Sequence, residues 1–150
     1  MSSLLLAIVI AAILWLIWNR ISQGDPDRWH IEPADADDPG RKGWRMIGLE
    51  APRFPGDPVT VLHLLTEIAF EEPNVRLLDG EIDEGMVTFA ARANLLGTKD
   101  YITVKAVAEG PNTKLGVLSR SGALTGTDLG RNRKRLDRWF AEIEARLVKR

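Results

Sequence analysis

The chain opens with an unbroken apolar run. Residues 4–18 (LLLAIVIAAILWLIW) carry no polar side chain, and only Met1, Ser2 and Ser3 precede them. A helix of that length spans about 22 Å at ~1.5 Å per residue, against a bilayer core about 30 Å thick. The flanking serines, with Asn19 and Ile21, bring it close to a full span. Trp15 and Trp18 stand where interfacial aromatics anchor a helix, and Arg20 can snorkel beyond them. No polar face exists, so the pattern is not that of a soluble amphipathic helix. The alternative is a cleaved signal peptide. Against it, the leader has no Lys or Arg, and Trp-Asn-Arg-Ile follows where a small-residue cleavage site belongs. We read residues 1–22 as an uncleaved transmembrane anchor.

Beyond the anchor the pattern breaks up. Residues 24–58 hold six of the chain's eight prolines, which excludes a long helix. Trp29, Ile31, Trp44, Met46, Ile47 and Leu49 are enough to tack the segment 23–56 onto a core as an extended wrap, with a short strand over 44–49. Asp57-Pro58 then signals a helix start, since Asp caps well and Pro at the first position loses only an orphan donor. Leu62, Leu65 and Ala69 line one face of that helix; Glu71, Glu72 and Pro73 end it. Strand-like runs follow over 75–78, 86–93, 101–108 and 115–120. Ile102, Val104 and Ala106 alternate with Tyr101, Thr103 and Lys105, the period of a half-buried strand. Breaks this short favour antiparallel neighbours. A final helix is expected from an Asp128 N-cap, with Leu129, Asn132, Leu136, Trp139, Phe140, Ile143 and Leu147 at steps of three and four. The predicted fold is α+β: an N-terminal transmembrane helix, then a domain over 57–150 with a four-stranded antiparallel meander flanked by two helices.

Charge changes the picture in one place. The total is nearly balanced, 20 Lys+Arg against 21 Asp+Glu, so no basic field of the kind nucleic acid requires is present. Residues 25–38, however, carry six acids and one Arg, whereas 131–150 carry eight Lys/Arg and three acids. Cysteine is absent, which removes disulfides, thiolate metal sites and Cys nucleophiles.

The candidate chemistry gathers in residues 119–140, SRSGALTGTDLGRNRKRLDRWF. A strand end, a glycine-bearing loop and a helix start resemble a phosphate cradle in outline. Neither a Walker loop nor GxGxxG is present, and a carboxylate at Asp128 would repel phosphate. Asn132, polar on an apolar stripe, reads as a buried amide that pins the loop. Arg131, Arg133, Lys134, Arg135 and Arg138 oppose the helix dipole, at ~0.3–1 kcal/mol for each cation in the first turn. Their compensation is either internal, from Asp128, Asp137, Asp35, Asp37 and Asp38, or external, from anionic headgroups. His30 beside Glu32, Asp35, Asp37 and Asp38 lacks ligand spacing, so no metal or cofactor is expected. A triad of His63 with Ser119 or Ser121 and Asp128 lacks a GxSxG elbow.

The segment Ser119-Arg120-Ser121, followed by Thr127-Asp128-Leu129-Gly130-Arg131-Asn132-Arg133-Lys134-Arg135, resembles the signature of the family named domain of unknown function 1499. Asp100-Tyr101, the Trp29-His30 to Pro39-Gly40 wrap and Asp57-Pro58 are similar to its proteobacterial membrane-anchored branch. The loop before Asp128 is a residue longer than usual in that family. The resemblance implies an extracytoplasmic domain and no accepted activity; the lone Arg20 after the span argues weakly for the cytoplasmic side instead. The resulting expectation is a single-pass inner-membrane protein with a periplasmic, non-enzymatic binding or scaffolding domain. Its partners would be the bilayer through residues 4–21, and anionic lipid headgroups or an envelope protein through the basic surface Arg131, Lys134 and Arg138. The alternative is a hydrolase or small-ligand-binding domain with its pocket at the glycine-bearing loop. The candidate binding residues are Arg120, Asp128, Asn132, Arg133 and Arg135.

Overall fold

In the computed structural model, residues 2–22, 24–93, 97–123 and 126–149 are described. Helix α1 (Ser3–Ile21) takes up the apolar run, is capped by the Ser2 hydroxyl and buries none of its residues. It is long and apolar enough to cross a membrane. A short helix α2 (Pro26–Trp29) follows from an Asp25 cap. Strands β1 (Gly43–Met46) and β2 (Arg53–Pro55) lie on either side of a tight turn.

Helix α3 (Pro58–Phe70) starts as its sequence dictates, with the Asp57 carboxylate accepting from Thr60 N at 3.0 Å. Strands β3 (Val75–Glu81), β4 (Met86–Arg92), β5 (Lys99–Glu109) and β6 (Asn112–Ser121) form the antiparallel meander. Helix α4 (Arg131–Val148) closes the chain. The sheet has six strands, not the four expected. The strand order is β1-β6-β5-β4-β3, and β2 also pairs with β6. The physical reason is that β6 would otherwise be an edge with open backbone groups. The proline-rich wrap covers that edge twice, β1 pairing against Val117–Arg120 and β2 against Asn112–Lys114. Strand β3 also runs through the expected break at Asp79-Gly80, absorbing it as an irregularity between Leu77 and Asp79.

Period-2 alternation assigns the two faces of the sheet. Val87, Phe89, Ala91, Ile102, Val104, Leu115 and Val117 pack with Leu62, Leu65, Leu136, Trp139 and Ile143, so α3 and α4 lie together on one face. Phe89 is fully buried and meets Phe70 and Trp139 edge-on, at ring separations of 5.9 and 5.8 Å. The other face is roofed by the wrap. Trp29 stacks on Tyr101 at 4.0 Å, its carbonyl accepts from Thr103 Oγ1, and Thr103 meets Thr88, which in turn meets His30 Nδ1.

Phe89→Ala would empty the junction between sheet and both helices. Truncation of a buried aromatic costs about 3–5 kcal/mol. A urea titration of the full chain in mild detergent should show that loss; a change under 1 kcal/mol would mean the core is not gathered there.

Candidate functional site: the arginine corner at the start of the last helix

Helix α4 begins later than its sequence suggests. Asp128 is not the N-cap; Leu129 and Gly130 both take positive φ (54° and 77°), and the helix starts at Arg131. The left-handed backbone at Gly130, which glycine adopts without strain, turns the loop into the helix axis. The Asp128 carboxylate still serves the helix end from outside it. It accepts from Gly130 N (2.9 Å), Asn132 N (3.2 Å) and Asn132 Nδ2 (2.7 Å). Asn132 Oδ1 in turn accepts from the Ser119 hydroxyl, so strand, loop and helix are pinned through one buried amide. Leu129, expected on the buried stripe, is 82% exposed because it precedes the helix.

The cations find their partners one layer deeper. Asp100, fully buried at the start of β5, accepts from Arg131 Nε and Nη2, both at 2.7 Å, and from Arg135 Nη1 at 3.1 Å. Glu72, just past α3, accepts from Arg138 Nη2 (2.9 Å) and Trp139 Nε1 (2.8 Å). Its second oxygen stands 3.6 Å from Arg135 Nε, near enough for charge attraction, but that nitrogen makes no hydrogen bond. Arg133 lies over the Trp44 ring at 4.4 Å, with Asp137 at 3.9 Å. The wrap acids Asp35, Asp37 and Asp38 do not pair with α4; Asp38 stands 3.9 Å from Arg45 instead. Compensation is therefore internal; Asp100 and Glu72 supply its direct bonds, and Asp128 and Asp137, as expected, add negative charge beside Arg131 and Arg133. Lys134 is exposed, and its side chain has no partner among the described residues.

Electrostatics follow from these contacts. Burial pushes the Asp128 carboxyl up, but the bonds from Asn132 and Gly130 and the charge of Arg131 outweigh it and hold it below the usual carboxylate range. The Asp100 hydrogen bonds hold the Arg131 guanidinium charged more firmly than usual. A carboxylate in this state is a poor proton donor or base near neutral pH. Arg120 lies on the opposite sheet face, paired in register with Tyr101, its guanidinium 4.8 Å from the Trp29 ring and bonded to the Trp29 carbonyl. The structure thus brings Asp128, Asn132 and Arg135 together and separates Arg120 and Arg133 from them. His63 is exposed beside Glu67, while Ser119 is buried under Asn132, so no triad forms from them. Of the three recesses that this structure presents most clearly, none is lined by Arg120, Asp128 or Arg135. Residues 124 and 125 of the glycine-bearing loop lie outside the described residues.

Together these features define a class: an α+β domain behind a helix of membrane-spanning length, with its last helix keyed to the sheet by buried charge. No family model matches the chain, and comparisons with curated proteins and with solved structures give no match either.

Asp100→Asn leaves two guanidiniums facing a neutral amide, and breaking a buried pair costs about 3–5 kcal/mol. Lys134→Gln should leave stability unchanged. Equal melting of these two variants would remove the corner from the fold's energetics. Asp128 gives a pH signature. Its folded-state pKa is lowered, so its contribution is complete above the unfolded value near ~4 and disappears as pH falls through the folded value. Asp57 and Glu109 are also held low and share that acid limb. Asp128→Asn should therefore make the loss of stability below about pH 4 shallower, not abolish it. An unchanged acid limb would contradict this.

Proposed function

We propose that the chain is a single-pass inner-membrane protein whose α+β domain is a non-enzymatic binding or scaffolding module at the periplasmic membrane face. We further propose, on the residues quoted above, that it belongs with the membrane-anchored branch of domain of unknown function 1499. One observation carries the reading. The apolar helix does not trail from the domain; its last turn is bonded to the sheet. Lys99 Nζ donates to the Asn19 carbonyl at 2.6 Å, placing a cation at the C-terminus of α1 where the dipole favours one. A side chain at Gly97 would place its Cβ 3.0 Å from that same carbonyl, so the β4–β5 connection sits directly against the helix end. A helix built to span a bilayer and fixed to the sheet in this way holds the domain at headgroup depth. The arginine corner supports the non-enzymatic half, because its carboxylates and amide are occupied in tying elements together.

A phosphatase reporter fused after Arg150 should be active in intact cells, and a fluorescent reporter that folds only in the cytoplasm should stay dark. Alkaline carbonate should leave the full chain in the membrane pellet. The reverse reporter pattern would place the domain on the cytoplasmic side, and release by carbonate would overturn the anchor.

A further inference from the structure

A cavity of about 350 Å³ lies between the end of α1 and the outer face of the sheet. Four cations line it: Arg20 from α1, Arg76 from β3, and Arg92 and Lys99 from paired positions on β4 and β5. Among the described residues, no acidic one lines it. Among the described residues, none of the four makes an ion pair, in contrast to Arg131, Arg135, Arg138 and Arg146 on the opposite side of the sheet. Two other recesses, each about 430 Å³, contain carboxylates: Glu81 and Asp83 in one, Asp38 and Glu50 in the other. Like charges collected without a counter-ion repel one another. At Lys99 burial is the larger cause and the Arg92 charge the second of an ammonium pushed below its usual range. The volume falls within the ~300–1,000 Å³ of ordinary small-ligand sites. The Asn74 amide completes the rim as a further polar group, already bonded to the Arg92 carbonyl.

We propose that this cavity binds a phosphate group, and that the group is the headgroup of an anionic phospholipid. The shared chemistry is a phosphate ester met by guanidinium forks, which match its oxygens in pairs. A lipid source is favoured over a free phosphate ester by position. The cavity wall includes Arg20 and Ile21, the last residues of the membrane-length helix, so acyl chains could run back along α1 while the phosphate sits among the cations. This rests on the membrane-anchored reading above, and it assigns the lipid contact to the outer sheet face, not to α4.

The test uses the full chain in mild detergent, exchanged with phosphatidylglycerol or phosphatidylcholine and examined by native mass spectrometry. The wild type should retain one phosphatidylglycerol in preference to phosphatidylcholine. Each cation near an anionic surface changes binding about fivefold, so Arg76→Gln with Arg92→Gln should weaken phosphatidylglycerol roughly 25-fold. Arg20→Gln, on the opposite wall, should cost about fivefold alone. Arg133→Gln with Lys134→Gln should change it less than twofold. Equal retention of the two lipids, or equal loss from the α4 pair, would overturn the proposal. Displacement of the lipid by millimolar glycerol 3-phosphate would keep the phosphate site and overturn the lipid source. Should carbonate release the chain from membranes, the anchoring reading fails on its own; binding of glycerol 3-phosphate, and its loss in the Arg76/Arg92 variant, then still decides the cavity.

Discussion

A single buried carboxylate sets the position of the last helix. Asp100 is removed from water altogether, which would be costly for an unpaired charge. It is tolerated because Arg131 grips both of its oxygens and Arg135 adds a third bond from the next turn. The same carboxylate answers a second need. Helix α4 has no acid in its first turn and carries several cations there, an arrangement that opposes its dipole. Asp100 supplies from the neighbouring strand the negative charge that the helix lacks. Glu72 does the same further along, and its bond to Trp139 Nε1 ties the electrostatic layer to the aromatic core. The corner is thus a charge-keyed joint between β5, the end of α3 and α4.

The pinning of the loop is a separate device with a shared logic. Asp128 satisfies the backbone donors of Gly130 and Asn132 that a helix starting at Arg131 leaves open, and the Ser119 hydroxyl, donating to Asn132 Oδ1, fixes the pair to the sheet. The left-handed turn at Leu129 and Gly130 is what allows a carboxylate outside the helix to reach its first turn.

Much of the architecture was legible in periodicity. The apolar run, the Asp57-Pro58 start, the β5 alternation and the amphipathic stripe of α4 each follow from a local rule that the tertiary structure respects. The strands of the wrap were less legible. Their pairing depends on covering the β6 edge, a long-range requirement that proline-rich composition conceals. Asn132 could be read as a pin because a polar residue on an apolar stripe needs a partner. Asp100 carries the same signal: it is in phase with Ile102, Val104 and Ala106, so alternation alone directs it inward. Glu72 gave no such warning, since an acid after a helix is ordinary. The helix starts two residues later than an Asp128 cap implies, because Asp-Leu-Gly fits a cap as well as it fits a turn.

Counting charges along the chain draws attention to α4, yet three of its five early cations are neutralised by carboxylates and a fourth is covered by an indole. Arg20, Arg76, Arg92 and Lys99 attract no notice in sequence because they are scattered over some eighty positions. Antiparallel register brings Arg92 opposite Lys99, and the β3–β4 ladder puts Arg76 on the same face beside Ala90. The bond from Lys99 to the Asn19 carbonyl then brings Arg20 to them. What matters for an anionic ligand is the charge left over after the fold has satisfied itself. By that measure the face with charge to spare is the one beneath α1, whereas most of the cations of the arginine-rich helix are already engaged within the fold.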